Sequence, residues 1–144
     1  MKEKQTRELL NILKDTSNKS ELKTMLDNES FDLSGKTYAQ YFMELTMDNN
    51  ESRAQLVKES QIERTYCYQI LNGTKQPGRD KVIALCLAAK ISERETQHCL
   101  FLSSHAQLHP RNRRDAIIIY AINNHLSVRE TNNILSDLEE GILE

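Results

Sequence analysis

Side chains able to do covalent chemistry are sparse in this 144-residue chain, and their spacing excludes most reactions. Cys67, Cys86 and Cys99 are odd in number, lack any Cys-x-x-Cys pair and lie in apolar helical contexts. That pattern favours core packing over metal or redox work. His98, Cys99, His105 and His109 fall close together, but their spacing fits neither a helical nor a finger-type zinc site. Ser34-Gly35-Lys36-Thr37 mimics the end of a phosphate-binding loop. Ser30 stands where the first glycine of such a loop belongs, and no strand precedes it. Glu139, Glu140 and Glu144 read as a solvated acidic face rather than a catalytic pair. With no Ser/His/Asp or Cys/His nucleophile set, the expectation is a protein that is not an enzyme and carries no cofactor or metal.

What remains is charge. The net charge of −2 hides a segregation along the chain. Residues 1–50 hold seven Lys/Arg against nine Asp/Glu, residues 51–114 eleven against six, and residues 115–144 one against six. The basic middle suits a polyanion, and the acidic end discourages indiscriminate binding; a solvated surface is the plainer alternative. No signal peptide and no apolar run of membrane-spanning length is present, and unpaired cysteines fit a reducing compartment. A cytoplasmic protein with no membrane association is expected.

Positioning must come from helices. Apolar residues recur at helical spacing, strand-like alternation is absent, and only four Gly and two Pro are available for turns. The spacing predicts amphipathic helices over Arg7 to Lys14 and Ser20 to Asp27, with the polar stretch DNESFDLSGK as a linker. Helices follow over Tyr38 to Met47, from Ser52 with a Ser52-Arg53-Ala54-Gln55 capping box, and from Glu63 to Leu71, where Asn72-Gly73 closes the helix.

The last half contains an internal repeat. Residues 79–100 (RDKVIALCLAAKISERETQHCL) align without gaps to residues 114–135 (RDAIIIYAINNHLSVRETNNIL), with eight of 22 positions identical at an offset of 35. Each copy reads as two helices, the first with an aspartate (Asp80, Asp115) in its first turn, the second opened by a capping box, Ser92…Glu95 or Ser127…Glu130. Two stacked hairpins are therefore expected, joined by SSHAQLHPRNR, with the second docked on the open end of the first. Within Pro110-Arg111-Asn112-Arg113-Arg114, Arg111 and Arg113 are candidates for phosphate contact; a structural pairing of Arg114 with an acidic neighbour is the equal alternative.

Residues 52–73 form two helical segments about three residues apart. Leu56, Val57, Ile62, Cys67 and Ile70 hold the pair together, and Arg64, Thr65, Tyr68, Gln69 and Asn72 point outward along one face. SRAQLVKESQIERTYCYQILNGTKQP resembles the helix-turn-helix of the phage repressor and Cro-type (XRE-like) DNA-binding family, including small regulators of this type in Gram-positive bacteria. Leu56-Val57 fills the family's Leu-Ala pair, Ile62, Cys67 and Ile70 its apolar posts, and Gly73 and Pro77 its closing turn. Gln61 departs from the common turn glycine, Val57 from the usual alanine, and Glu63 stands near the start of the second helix.

The resemblance implies an all-α, five-helix repressor-like core over 37–106, and the helical spacing places an arm and linker at 1–36 before it. A C-terminal helical hairpin over 107–144 extends that core. It also implies sequence-specific binding of double-stranded DNA by a transcriptional regulator, with residues 63–71 in the major groove. Arg64, Thr65 and Gln69 match base-reading positions, and Tyr68, flanking Gln69, joins them. Arg53 and Asn72 match phosphate-contacting positions, and Lys75 and Arg79 flank the groove. One helix reads few base pairs, so a homodimer on two half-sites is expected. The N-terminal arm and the C-terminal hairpin are candidate surfaces for that dimer or for a protein partner. The competing expectation is a protein-interaction module on the same fold that has lost DNA.

Overall fold

The computed structural model describes residues 6–26, 36–46 and 50–144. Among them all regular structure is helical. Of the expected linker over residues 27–36, residues 27–35 lie outside the described residues, as do the residue-27 end of the second expected helix and the residue-47 end of the third. Residues 1–36 and 37–144 form separate compact units.

The first unit contains α1 (Thr6–Asp15) and α2 (Lys19–Leu26). A local exchange starts α2: Asn18 Oδ1 accepts from Glu21 N at 2.8 Å, and Glu21 Oε2 accepts from Ser17 N at 2.9 Å. Both groups would otherwise be free donors at a helix start. Leu10, Leu13 and Leu22 are exposed.

The second unit begins with α3 (Tyr38–Thr46), which buries Tyr38 and Phe42. Thr37 and Gln40 cap it reciprocally, with Gln40 N donating to Thr37 Oγ1 and Thr37 N to Gln40 Oε1. The next helix, α4 (Asn50–Ser60), starts two residues before the expected Ser52 box, so Ser52 is inside the helix. Gln55 reaches forward to Glu59 at 2.8 Å instead of back to a cap. A turn leads to α5 (Arg64–Leu71). Gln61 holds that turn with φ of +65°, a left-handed conformation that disfavours any side chain. The closing Gly73, at φ +85°, has Ala39 Cβ 3.7 Å from where its own Cβ would be.

At the centre lies α6 (Arg79–Ala89), buried continuously from Val82 to Ala88. It packs against α4, α7 (Glu93–Leu102) and α9 (Val128–Asp137), while α8 (Arg113–Asn123) packs on α7 and α9. Leu85, Ile83 and Leu87 are almost wholly out of water, each worth about 1.5–3 kcal/mol of burial. Both expected capping boxes are present, at Ser92 and Ser127.

The two hairpins do not repeat by translation. Arg79 of the first donates to both carboxylate oxygens of Asp115 in the second, at 3.1 and 3.0 Å. Arg114 of the second donates to both oxygens of Asp80 in the first, at 3.1 and 2.9 Å. Arg79 also donates to the carbonyls of Ala106 and Gln107, and Arg114 to those of Gly141 and Ile142, which are 35 residues further on. His109 N donates to Asp115 and Glu144 N to Asp80. Likewise α6 meets α9 where α7 meets α8. Such reciprocity is the signature of an approximate two-fold, a self-complementary pairing in which each copy closes the other. A solenoid would have passed each contact on to a next repeat.

The duplication also runs further than its sequence identity. Lys90 and His125 are left-handed, and so are Ser104 and Glu139. Leu108 N donates to Gln97 Oε1 and Leu143 N to Asn132 Oδ1, again at equivalent places.

Candidate nucleic-acid interface

The candidate face is built on α4, its following turn and α5. Leu56, Val57, Ile62, Cys67, Ile70 and Leu71 are buried and join the two helices to α3 and α6. Ser60, also buried, ties the turn: its Oγ donates to Val57 O at 2.7 Å and accepts from Ile62 N at 3.2 Å. Those bonds satisfy polar groups that burial would leave costly. They fix the direction in which α5 leaves α4.

Glu63 starts α5 as its N-cap. Its carboxylate accepts from Thr65 N at 3.0 Å and Tyr66 N at 2.8 Å. Hydrogen bonds from Tyr66 and Thr65 hold its carboxyl below the usual range, overcoming a small opposing effect of desolvation. An acidic residue beside Arg64 is thus accounted for by helix capping, where free N–H groups and the helix dipole favour an anion.

Arg64 and Thr65 are exposed, whereas Tyr68 and Gln69 are half-buried. Tyr66 and Tyr68 both pack partly against the core. The Arg53 guanidinium, reaching from α4, lies over the Tyr68 ring with its carbon 5.5 Å from the centroid. The Arg64 guanidinium lies over the same ring at 5.9 Å. Arg53 Nε is buried and has no hydrogen-bond partner among the described residues.

The flanking candidates divide. Asn72 is exposed at the end of α5, with its carboxamide oxygen accepting from Thr74 N and Oγ1. Lys75 is exposed in the loop that follows. Arg79 is placed differently from a phosphate contact: Asp115 and two carbonyls take its Nε and both terminal nitrogens. Arg113 pairs with Glu140 at 3.2 Å and donates to Leu138 O, although it is largely exposed. Arg111 is exposed, and its backbone N–H donates to His109 Nδ1.

The other groups singled out by type are engaged in packing. Cys67, Cys86 and Cys99 are buried free thiols. Burial pushes Cys67 up, and burial followed by the neighbouring Cys99 pushes Cys86 up further, which keeps both protonated and poor nucleophiles. His98 meets the Tyr41 ring edge-on at 4.6 Å, and His105 Nε2 hydrogen-bonds Pro77 O at 2.8 Å. Among the described residues no group of three His, Cys, Asp or Glu side chains converges as a metal site. No described helix is long and apolar enough to cross a membrane.

Sequence reasoning did not foresee the stacking of Arg53 and Arg64 on one tyrosine. Half of it was legible: Arg64 and Tyr68 are four residues apart on α5, a spacing that puts them on one face. The approach of Arg53 depends on the crossing of α4 and α5, which no local pattern encodes. No protein-family model matches the chain, and no match was found among curated proteins or among solved structures.

Proposed function

We propose that the protein is a sequence-specific, double-stranded-DNA-binding transcriptional regulator of the repressor/Cro-type helix-turn-helix kind, acting in the cytoplasm. The observation that carries the reading is α5 itself: one face is locked into the core by Cys67, Ile70 and Leu71. Its other face presents Arg64 and Thr65 to solvent, with Gln69 half-exposed beside them. In this reading α5 enters the major groove, where Arg64 addresses guanine acceptors and Gln69 the adenine edge. Arg53, Asn72 and Lys75 take phosphates. Arg79 drops out of the phosphate set because its donors are committed to Asp115 and to two carbonyls. A homodimer supplies a second α5, with half-sites about one DNA turn apart.

The test is a binding-site selection from random duplexes with the purified full chain, followed by affinity across a salt series. Enrichment of a paired motif, with affinity falling as salt rises, is the expected result. Absence of duplex binding at every salt concentration would leave the interaction module as the function of this fold.

A further inference from the structure

Two cations on one aromatic ring is an arrangement that needs a reason. Guanidiniums within about 6 Å of a ring centroid are attracted by the negative face of its π-system. Arg53 and Arg64 meet that distance on Tyr68, and among the described residues neither forms an ion pair. Bringing the two charges together is repulsive, and Arg53 additionally leaves its Nε buried and unbonded. A buried donor without a partner is unusual enough to point to function. The repulsion falls when an anion reaches the terminal nitrogens. The ring is itself anchored, since Tyr68 packs partly against the core.

We propose that Tyr68 is a positioning residue, not a base reader: its ring sets Arg53 and Arg64 in one fixed relation. Arg53 then takes a backbone phosphodiester while Arg64 meets a base edge in the same register. The inference rests on the DNA reading above and deepens it. It makes the phosphate contact and the base contact interdependent, because both guanidiniums are registered on a single ring fixed to the core. Local strength of binding thus turns into sequence discrimination.

The experiment uses the full chain, the duplex enriched by selection and a scrambled duplex of equal composition. Tyr68→Leu keeps an apolar side chain on the core but removes the ring; Tyr68→Phe keeps the ring and removes only the hydroxyl. The expected result is a loss of about tenfold in the ratio of selected to scrambled affinity for Tyr68→Leu, with Tyr68→Phe restoring most of it. Arg53→Gln and Arg64→Gln, alone and combined, provide a second measurement that leaves Tyr68 in place. Their fold-losses on the selected duplex should fail to multiply, by about fivefold or more. Wild-type binding with an unchanged ratio in Tyr68→Leu overturns the inference alone. So does a Tyr68→Phe loss as large as that of Tyr68→Leu, which makes the hydroxyl a base reader. If Tyr68→Leu does not fold, multiplicative losses at Arg53 and Arg64 overturn it equally. Failure of the wild-type protein on every duplex removes the DNA reading and the inference together.

Discussion

Arg79 and Arg114, in the first turns of their helices, have guanidiniums filled by carboxylates and carbonyls, whereas Arg53 and Arg64 lie over a tyrosine ring and form no ion pair among the described residues. The residue type is the same and the physical role is opposite. In the paired hairpins, each arginine is neutralised by an aspartate one copy away, and its remaining donors close on backbone carbonyls. Planar guanidinium suits such bidentate work better than a lysine ammonium would. On α4 and α5 the same group is left with capacity to spare. The difference separates basic residues paired within the fold from basic residues stacked on an aromatic ring, which a count of Lys and Arg over 51–114 merges.

The largest break in this contrast comes from the clamp. Asp115→Ala strands the Arg79 guanidinium, and Asp115 is the more enclosed of the two aspartates, with 8% of its side chain exposed against 23% for Asp80. A loss of about 3 kcal/mol in urea denaturation is expected, because an uncompensated, partly buried charge remains. Asp80→Ala should destabilise less, and equal losses would contradict the burial difference.

Arg64→Ala should give the reverse profile. Its stability should stay within about 0.5 kcal/mol of wild type, since its side chain is exposed. Affinity for the selected duplex should fall by about 1–3 kcal/mol, with discrimination relaxed at one base position. An unchanged affinity in anisotropy titrations would remove Arg64 from the reading face.

Acid separates the regions next. Desolvation pushes Asp80 up, but hydrogen bonds from Arg114 and Glu144 N, with the charges of Arg114 and Arg79, together hold it below its ordinary value. Glu63 is also held low, by the Tyr66 and Thr65 N–H groups. Each folded-state pKa lies beneath its unfolded one, about 3.9 for Asp and 4.3 for Glu. Their stabilisation is therefore complete above those unfolded values and is lost as pH falls through the lower folded ones. Melting temperature should drop below pH 4 in the wild type. Arg114→Met should weaken the Asp80 contribution to that drop, and Glu63→Gln the cap contribution. Unaltered acid profiles in both variants would detach the drop from these groups.

The smallest effect is a gain. Gln61 adopts φ +65°, so Gln61→Gly should stabilise by up to about 1 kcal/mol by relieving the left-handed strain, without altering duplex affinity. A measured loss of stability would mean that the Gln61 side chain contributes more than its backbone costs.

Much of the fold was legible because the signals are local. The Ser92 and Ser127 boxes, the Asn72-Gly73 stop and the buried posts from Leu56 to Ile70 follow from residues within one helical turn of each other. Where local signals compete, the reading slipped: Ser52…Gln55 has the letters of a capping box, yet α4 already runs from Asn50 and Gln55 bonds Glu59. The candidate face was legible for Arg64, Thr65, Tyr68 and Gln69 by helical spacing on α5. The engagement of Arg79 was not legible, because a basic residue at a helix start carries no mark of whether its partner is a phosphate or a distant aspartate. Asp115, 36 residues away, decides that.

By itself the sequence determined the helical periodicity, the Ser92 and Ser127 helix starts and the existence of two equivalent hairpins, since each depends on short-range spacing or on direct comparison of two stretches. It also carried the pairs Arg79-Asp80 and Arg114-Asp115, but not who meets whom. Only the tertiary structure decided that the copies face each other about an approximate two-fold instead of stacking onward. It alone brought Arg53 from α4 onto the ring of Tyr68 in α5. Both outcomes are set by how whole helices cross, a property of packed volumes and long-range charge pairing that no window of neighbouring residues contains.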